Sequence, residues 1–81
     1  MVHKTKNLNG ILLYLETDEK NIDKSLNDLI TKIGEEKSIP YNDVYIKISP
    51  IVFEKFMNLI KNKNFMLKDI DILKTQIFLK F

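Results

Sequence analysis

Few side chains in this sequence have the chemistry for catalysis. His3 is the only histidine, and no serine or carboxylate is placed to form a catalytic triad with it. Asp69 and Asp71 are two residues apart, so on a strand both carboxylates would share one face, as in a Mg²⁺ site or an acid/base pair. We prefer a solvated or edge-protecting role for these aspartates. Glu35 and Glu36 are interpreted as a solvated pair of charges in a loop.

Known catalytic and ligand-binding motifs are absent from the sequence. There is no cysteine, no glycine-rich phosphate loop and no histidine pair at metal-ligand spacing. We therefore predict that the protein is not an enzyme and has no catalytic residue, metal or cofactor. The longest apolar run, residues 11–15, is much shorter than the ~20 residues needed to span a bilayer. We expect a cytoplasmic protein without a membrane span.

Composition favours one ordinary folded domain over residues 1–81. Hydrophobic residues make up 44% of the chain and charged residues 30%, which is typical of a globular protein. All 13 basic residues are lysine, so the surface lacks the bidentate guanidinium group that reads guanine or grips phosphate. The net charge of +2 is too small to indicate a nucleic-acid partner by itself.

The first half of the chain predicts two strands and a helix. Residues 11–15 are five large apolar side chains in a row, which is typical of a strand that lies centrally in a sheet with much of both faces covered. The dipeptide Asn9-Gly10 favours a tight turn that folds residues 2–6 back on this strand. A helix follows, with Asn21 as its N-cap and Gly34 as a left-handed C-cap.

The second half predicts a strand over residues 44–49, a helix, and one or two further strands. Ser49 and Pro50 suit the cap and first position of the helix, which Asn62 or Asn64 would end. The segment from 69 to 81 alternates between apolar and polar residues, with a break near residues 73–75. The element order is thus (β)βαβαβ(β). We predict an α/β (α+β) fold in which two helices pack on one face of a single sheet of four to five strands.

Alternation along the strands divides their side chains between the two faces of the sheet. The face expected to contact the helices consists of Ile11, Leu13, Leu15, Val44, Ile46, Ile48, Ile77 and Leu79. The opposite face, which we name the open face, presents Leu12, Tyr14, Tyr45, Lys47, Phe78 and Lys80. We predict that these six residues bind a partner, since a contiguous apolar patch on a surface is usually a contact site. A protein partner, or a homodimer through this face, is the preferred interpretation.

An aromatic and basic sheet surface also resembles those on which proteins stack single-stranded RNA. Nucleic acid is therefore kept as an alternative partner. Asp69 and Asp71 would lie on the same face and repel phosphate, so we favour protein over nucleic acid.

The pattern of apolar spacing resembles the N-terminal domain of the bacterial division inhibitor MinC. The resemblance runs through residues 4–15, the helical pattern of 22–33, the strand at 43–48, and the helical pattern of 53–60 followed by Asn64-Phe65-Met66. It implies a small α/β regulatory domain that binds the tubulin-like protein FtsZ and opposes its polymerisation. Two departures are evident: Lys6 or Asn7 stands where the family has a glycine, and the family's C-terminal β-helical domain has no counterpart in these 81 residues.

Two other readings are compatible with the same order of strands and helices. That order also resembles SepF-type division proteins and Alba-type nucleic-acid-binding proteins, although the glycines and basic loops of the latter are missing. A phage or mobile-element protein that blocks a host protein would fit the small size equally well. The sequence does not separate this reading from that of a MinC-like regulator.

Overall fold

The computed structural model describes residues 2–7, 10–15 and 20–81. Within them the chain forms five strands and two helices in the order ββαβαββ, which confirms the predicted α+β class. The elements are β1 (Val2–Asn7), β2 (Gly10–Leu15), α1 (Ile22–Lys37), β3 (Asp43–Ile48), α2 (Pro50–Ile60), β4 (Asp69–Ile72) and β5 (Ile77–Lys80). No helix among the described residues is long and apolar enough to cross a membrane.

The five strands form one mixed sheet in the order β1-β2-β3-β5-β4. The β2 and β3 strands are parallel, while β1 is antiparallel to β2 and β5 is antiparallel to both β3 and β4. It follows that β4 runs parallel to β3 with β5 inserted between them. The strand predicted to be central, β2, is second in the sheet, and β3 occupies the middle. As predicted, β2 lies inside the sheet with a strand paired on each side, although the middle strand is β3, whose alternating polar and apolar residues make it look less hydrophobic.

Both helices pack on the same face of the sheet, as predicted. The strand residues assigned to that face are buried, except Leu15, which is partly buried and packs against the core. Phe56 and Ile60 from α2 join them, and the ring of Phe81 meets Phe56 edge-on with a centroid separation of 6.5 Å. The residues that α1 buries are Ser25, Leu26, Leu29, Ile30, Ile33 and Glu36. The buried apolar residues of sheet and helices form one core cluster.

The starts of both helices follow the predicted capping chemistry. The Asn21 side chain accepts a hydrogen bond from the Lys24 amide at 3.2 Å, and the Ser49 hydroxyl accepts one from the Ile51 amide at 3.3 Å. Each bond satisfies an amide that has no partner within the first helical turn. The end of α2, at Ile60, precedes the asparagines that the sequence suggested.

The predicted end of α1 at Gly34 is wrong. The helix continues to Lys37, and no described glycine has a positive φ. This extension carries Glu36 into a largely buried position, where its carboxylate accepts a bond from Asn42 at 3.1 Å and pairs with Lys4 at 3.4 Å. Only Glu35 is a solvated charge, so the interpretation of both glutamates as a loop pair is corrected.

Gly10 has a different role from the one predicted. The proposed Asn9-Gly10 turn falls partly on residues 8 and 9, which lie outside the described residues. Gly10 itself belongs to β2, where it pairs with Asn7 on one side and Asp43 on the other. A Cβ atom at Gly10 would overlap the backbone carbonyl of Asp43. Glycine is therefore required by the close approach of two parallel strands, and not by a positive φ.

The two glycines provide a matched test of this packing. We expect Gly10→Ala to lower the free energy of unfolding by about 2 kcal/mol, because strand backbone must move to accept the methyl group. Gly34→Ala should instead raise it by about 0.5–1 kcal/mol, since the site is helical and the nearest atom to a new Cβ, in the Phe65 ring, is 3.9 Å away. Urea denaturation followed by circular dichroism measures both; equal effects of the two substitutions would contradict the β2–β3 packing described.

Candidate functional site

All six residues predicted for the open face lie on the sheet surface opposite the helices. The strand register arranges them in two neighbouring rows that cross all five strands. The first row is His3, Tyr14, Lys47, Phe78 and Asp71. The second row is Thr5, Leu12, Tyr45, Lys80 and Asp69. Asp69 and Asp71 therefore share the open face with the six residues, as expected.

Tyr14 is held in the first row by a neighbour on each side. The His3 ring stacks on it with centroids 5.0 Å apart and an angle of 14° between the ring planes. The Lys47 ammonium lies 4.8 Å from the centroid of the Tyr14 ring, within the range of a cation–π interaction. Both contacts follow from the register, which makes His3 and Lys47 the cross-strand neighbours of Tyr14. The tyrosine ring is thus positioned before any partner arrives.

Tyr45 and Lys80 form the corresponding pair in the second row. The Lys80 ammonium lies 5.6 Å from the centroid of the Tyr45 ring and 3.9 Å from the Asp43 carboxylate. Asp43 also pairs with Lys68 at 3.7 Å, so one carboxylate engages two lysines at this end of the open face. These lysines are 36% and 46% exposed, and exposed ion pairs contribute little to stability. Their main effect is to fix where charge lies around Tyr45.

The apolar part of the open face lies at the middle of the sheet. Leu12, Tyr14, Tyr45 and Phe78 are all partly buried, and they come from β2, β3 and β5. Charged and polar side chains from β1 and β4 flank them, with the two aspartates on the β4 side. An apolar, aromatic centre with a polar rim is the arrangement found in protein interfaces. A surface with three aspartates, counting Asp43, is less suited to a phosphate backbone.

His3 and Thr5 also belong to this surface, although the sequence did not predict it. The structure places His3 in β1 and stacks its ring on Tyr14. The antiparallel pairing of β1 with β2 determines this position, because it sets His3 opposite Tyr14. Polar and apolar residues alternate only weakly over residues 2–6. The sequence therefore does not show which side chains of β1 lie on the open face, and the pairing with β2 does.

The side chains of the open face can make apolar, aromatic and electrostatic contacts. Among residues 2–7, 10–15 and 20–81, no three histidine, aspartate or glutamate side chains converge in a manner that could hold a metal ion. A shallow groove between β1 and α1 is lined by Val2, Asp28, Thr31, Lys32 and Glu35. Lys32 and Glu35 pair with each other across 3.5 Å in that groove. Val2 is the one apolar residue among the described residues that line this groove, whereas the open face carries four apolar or aromatic residues.

Comparison of the chain with protein-family models, curated proteins and solved structures gave no match.

Adjacent residues of β2 test whether the open face is surface or core. Leu13 is 0% exposed and contributes to the core, so Leu13→Asp should unfold the domain by burying an unpaired charge, at a cost of about 4 kcal/mol or more. Tyr14→Ala should leave the domain folded and lower its free energy of unfolding by about 1–2 kcal/mol, through loss of the ring and cation contacts. Urea denaturation measures both variants.

The test compares how much each of the two variants lowers the free energy of unfolding. If Tyr14→Ala unfolds the domain as severely as Leu13→Asp does, Tyr14 belongs to the core, and the assignment of the open face as a binding surface fails.

Proposed function

We propose that this chain is a non-enzymatic regulatory domain that binds a protein through the open face, and that it resides in the cytoplasm. The observation that supports this proposal most directly is the group of apolar and aromatic residues on the face without helices. Leu12 and Tyr45 are cross-strand neighbours, and in the adjacent row Tyr14 and Phe78 lie on either side of Lys47. Aromatic side chains that are already positioned lose little conformational entropy when a partner covers them. Such residues are the usual anchors of protein interfaces.

The charges on the open face favour a protein over a nucleic acid. Lys47 and Lys80 are directed at tyrosine rings, and Lys80 is also near Asp43. Stacking a base on these rings would displace the ammonium groups that cover them. Asp69 and Asp71 add negative charge along one side of the same surface. A protein partner can match this mixed pattern with its own charges of both signs.

The resemblance to MinC N-terminal domains suggests a specific partner. In that family the domain binds FtsZ and opposes its polymerisation, and the ββαβαββ chain described here offers a surface for such contact. The proposed mechanism is occlusion: the domain covers a surface that one FtsZ molecule presents to the next, and it needs no cofactor for this. The same mechanism would serve a phage or mobile-element protein that blocks a host protein.

Sedimentation of polymerised FtsZ tests the specific form of the proposal. Excess wild-type domain should reduce the fraction of FtsZ in the pellet, and Tyr14→Ala or Tyr45→Ala should require about tenfold more protein for the same effect, as for loss of an interface anchor. Tyr41→Ala is the matched control, because Tyr41 is fully exposed in the loop between α1 and β3, away from the two rows. FtsZ sedimentation that is unchanged by excess domain would refute FtsZ as the partner.

Binding of a labelled single-stranded oligonucleotide tests the nucleic-acid alternative. Our proposal predicts no salt-sensitive binding at micromolar protein, and no effect of Tyr45→Ala on the signal. Binding that weakens steeply with added salt and is lost in Tyr45→Ala would instead show that the open face stacks bases. A homodimer through the open face would appear in analytical ultracentrifugation as a dimer that Tyr14→Ala dissociates.

A further inference from the structure

The edge strand β4 has features that the open face does not explain. All four of its residues are exposed, whereas β3 and β5 alternate between buried and partly buried residues. Its two isoleucines lie on the helix side of the sheet, because Ile70 pairs with Leu79 and Ile72 with Ile77, and both of those partners are in the core. Ile70 is nevertheless 40% exposed and Ile72 is 67% exposed.

These isoleucines are exposed because the described helices do not cover β4. The α1 helix packs against β1, β2 and β3, and the apolar residues packed around the core cluster do not include Ile70 or Ile72. Two helices are too few to cover a sheet of five strands. The helix side of β4 is thus an apolar strip that the described part of the chain leaves open.

The backbone of β4 is partly available along its outer edge. The Leu73 amide donates to the Gln76 carbonyl at 2.9 Å, which places the odd-numbered residues of β4 in the hydrogen-bonded positions facing β5. By the alternation of an antiparallel pair, the amides of Ile70 and Ile72 point away from the sheet. The Asp69 carboxylate accepts a bond from the Ile70 amide at 2.9 Å, so a polar group already occupies part of this edge.

The aspartates of β4 determine what kind of strand would fit. Asp69 and Asp71 project from the side opposite the isoleucines, so a strand added at this edge would meet carboxylates on one face and apolar side chains on the other. The matching sequence alternates lysine or arginine with isoleucine, valine or leucine. A second copy of β4 does not match, since antiparallel self-pairing would place aspartate opposite aspartate.

We propose that the outer edge of β4 binds an extended basic and apolar peptide segment of a partner protein by strand addition. Backbone hydrogen bonds supply the attachment, and the alternation of isoleucine and aspartate selects the sequence. Because β4 has four residues, the segment recognised is about four to six residues long. The β4 edge shares Asp69 and Asp71 with the open face, but the peptide proposal does not depend on FtsZ as the partner.

Fluorescence anisotropy with a labelled six-residue peptide of alternating lysine and isoleucine tests this proposal on the full chain. The wild-type protein should bind this peptide at least tenfold more tightly than a peptide with glutamate in place of lysine. Asp71→Asn and Ile72→Ser should each weaken binding about tenfold. Asp28→Asn and Ile51→Ser, at exposed positions on the helices, are the matched controls and should bind as the wild type does.

Methylation of the peptide backbone distinguishes strand addition from simple charge attraction. Methyl groups on the alternate amides that face β4 should abolish binding, and the same number on the other amides should leave it intact. Equal binding of the lysine and glutamate peptides, equal effects of the two methylation patterns, or equal losses in Ile72→Ser and Ile51→Ser would overturn the proposal. A wild-type dimer that Ile72→Ser dissociates would also overturn it, because a second copy would then be the occupant.

Discussion

The structure depends on the period-two alternation of strands β2, β3 and β5 against a single layer of helices. Leu13, Ile46 and Leu79 lie in one cross-strand row beneath the helices and are almost completely buried. Because successive side chains alternate across a strand, their neighbours must point to the opposite face. Leu12, Tyr14, Tyr45 and Phe78 occupy the open face for this reason. Full burial on one side and partial exposure on the other thus have the same cause.

The number of helices determines which strands of the sheet are covered. Within residues 2–7, 10–15 and 20–81, two helices cover one face of the sheet and leave the outermost strand β4 uncovered even on that side. The two uncovered surfaces differ in chemistry. The open face is aromatic and carries lysines near tyrosine rings, whereas the β4 edge combines exposed isoleucines, the outward-pointing Ile72 amide and two exposed aspartates.

Much of the fold was predictable from local patterns in the sequence. The caps at Asn21 and Ser49, the helical spacing around Leu26 and Phe56, and the division of the strands into two faces all follow from short-range chemistry. The six candidate residues of the open face were therefore identified correctly as one surface. Their role in binding stays a prediction.

What the sequence could not provide is long-range pairing. The insertion of β5 between β3 and β4 depends on non-local contacts, so the order of the strands in the sheet was not visible in the sequence. The continuation of α1 past Gly34 is stabilised by the contacts of Glu36 with Lys4 and Asn42. Lys4 is 32 residues away in the sequence, and Asn42 lies beyond the end of the helix. His3 gained its position only from the register of β1. These features have the same physical origin, because in each of them tertiary contacts outweighed a local preference of the sequence.

The central claim is that the open face is exposed in the free protein, and solvent paramagnetic relaxation measured by NMR tests it most directly. A soluble gadolinium complex broadens the resonances of groups that it can approach. The account predicts strong broadening for the side chains of Leu12, Tyr14, Tyr45 and Phe78, and little for Leu13, Ile46 and Leu79. Equal protection of the two sets in a monomeric sample would contradict it, because the open face would then be covered by the chain itself.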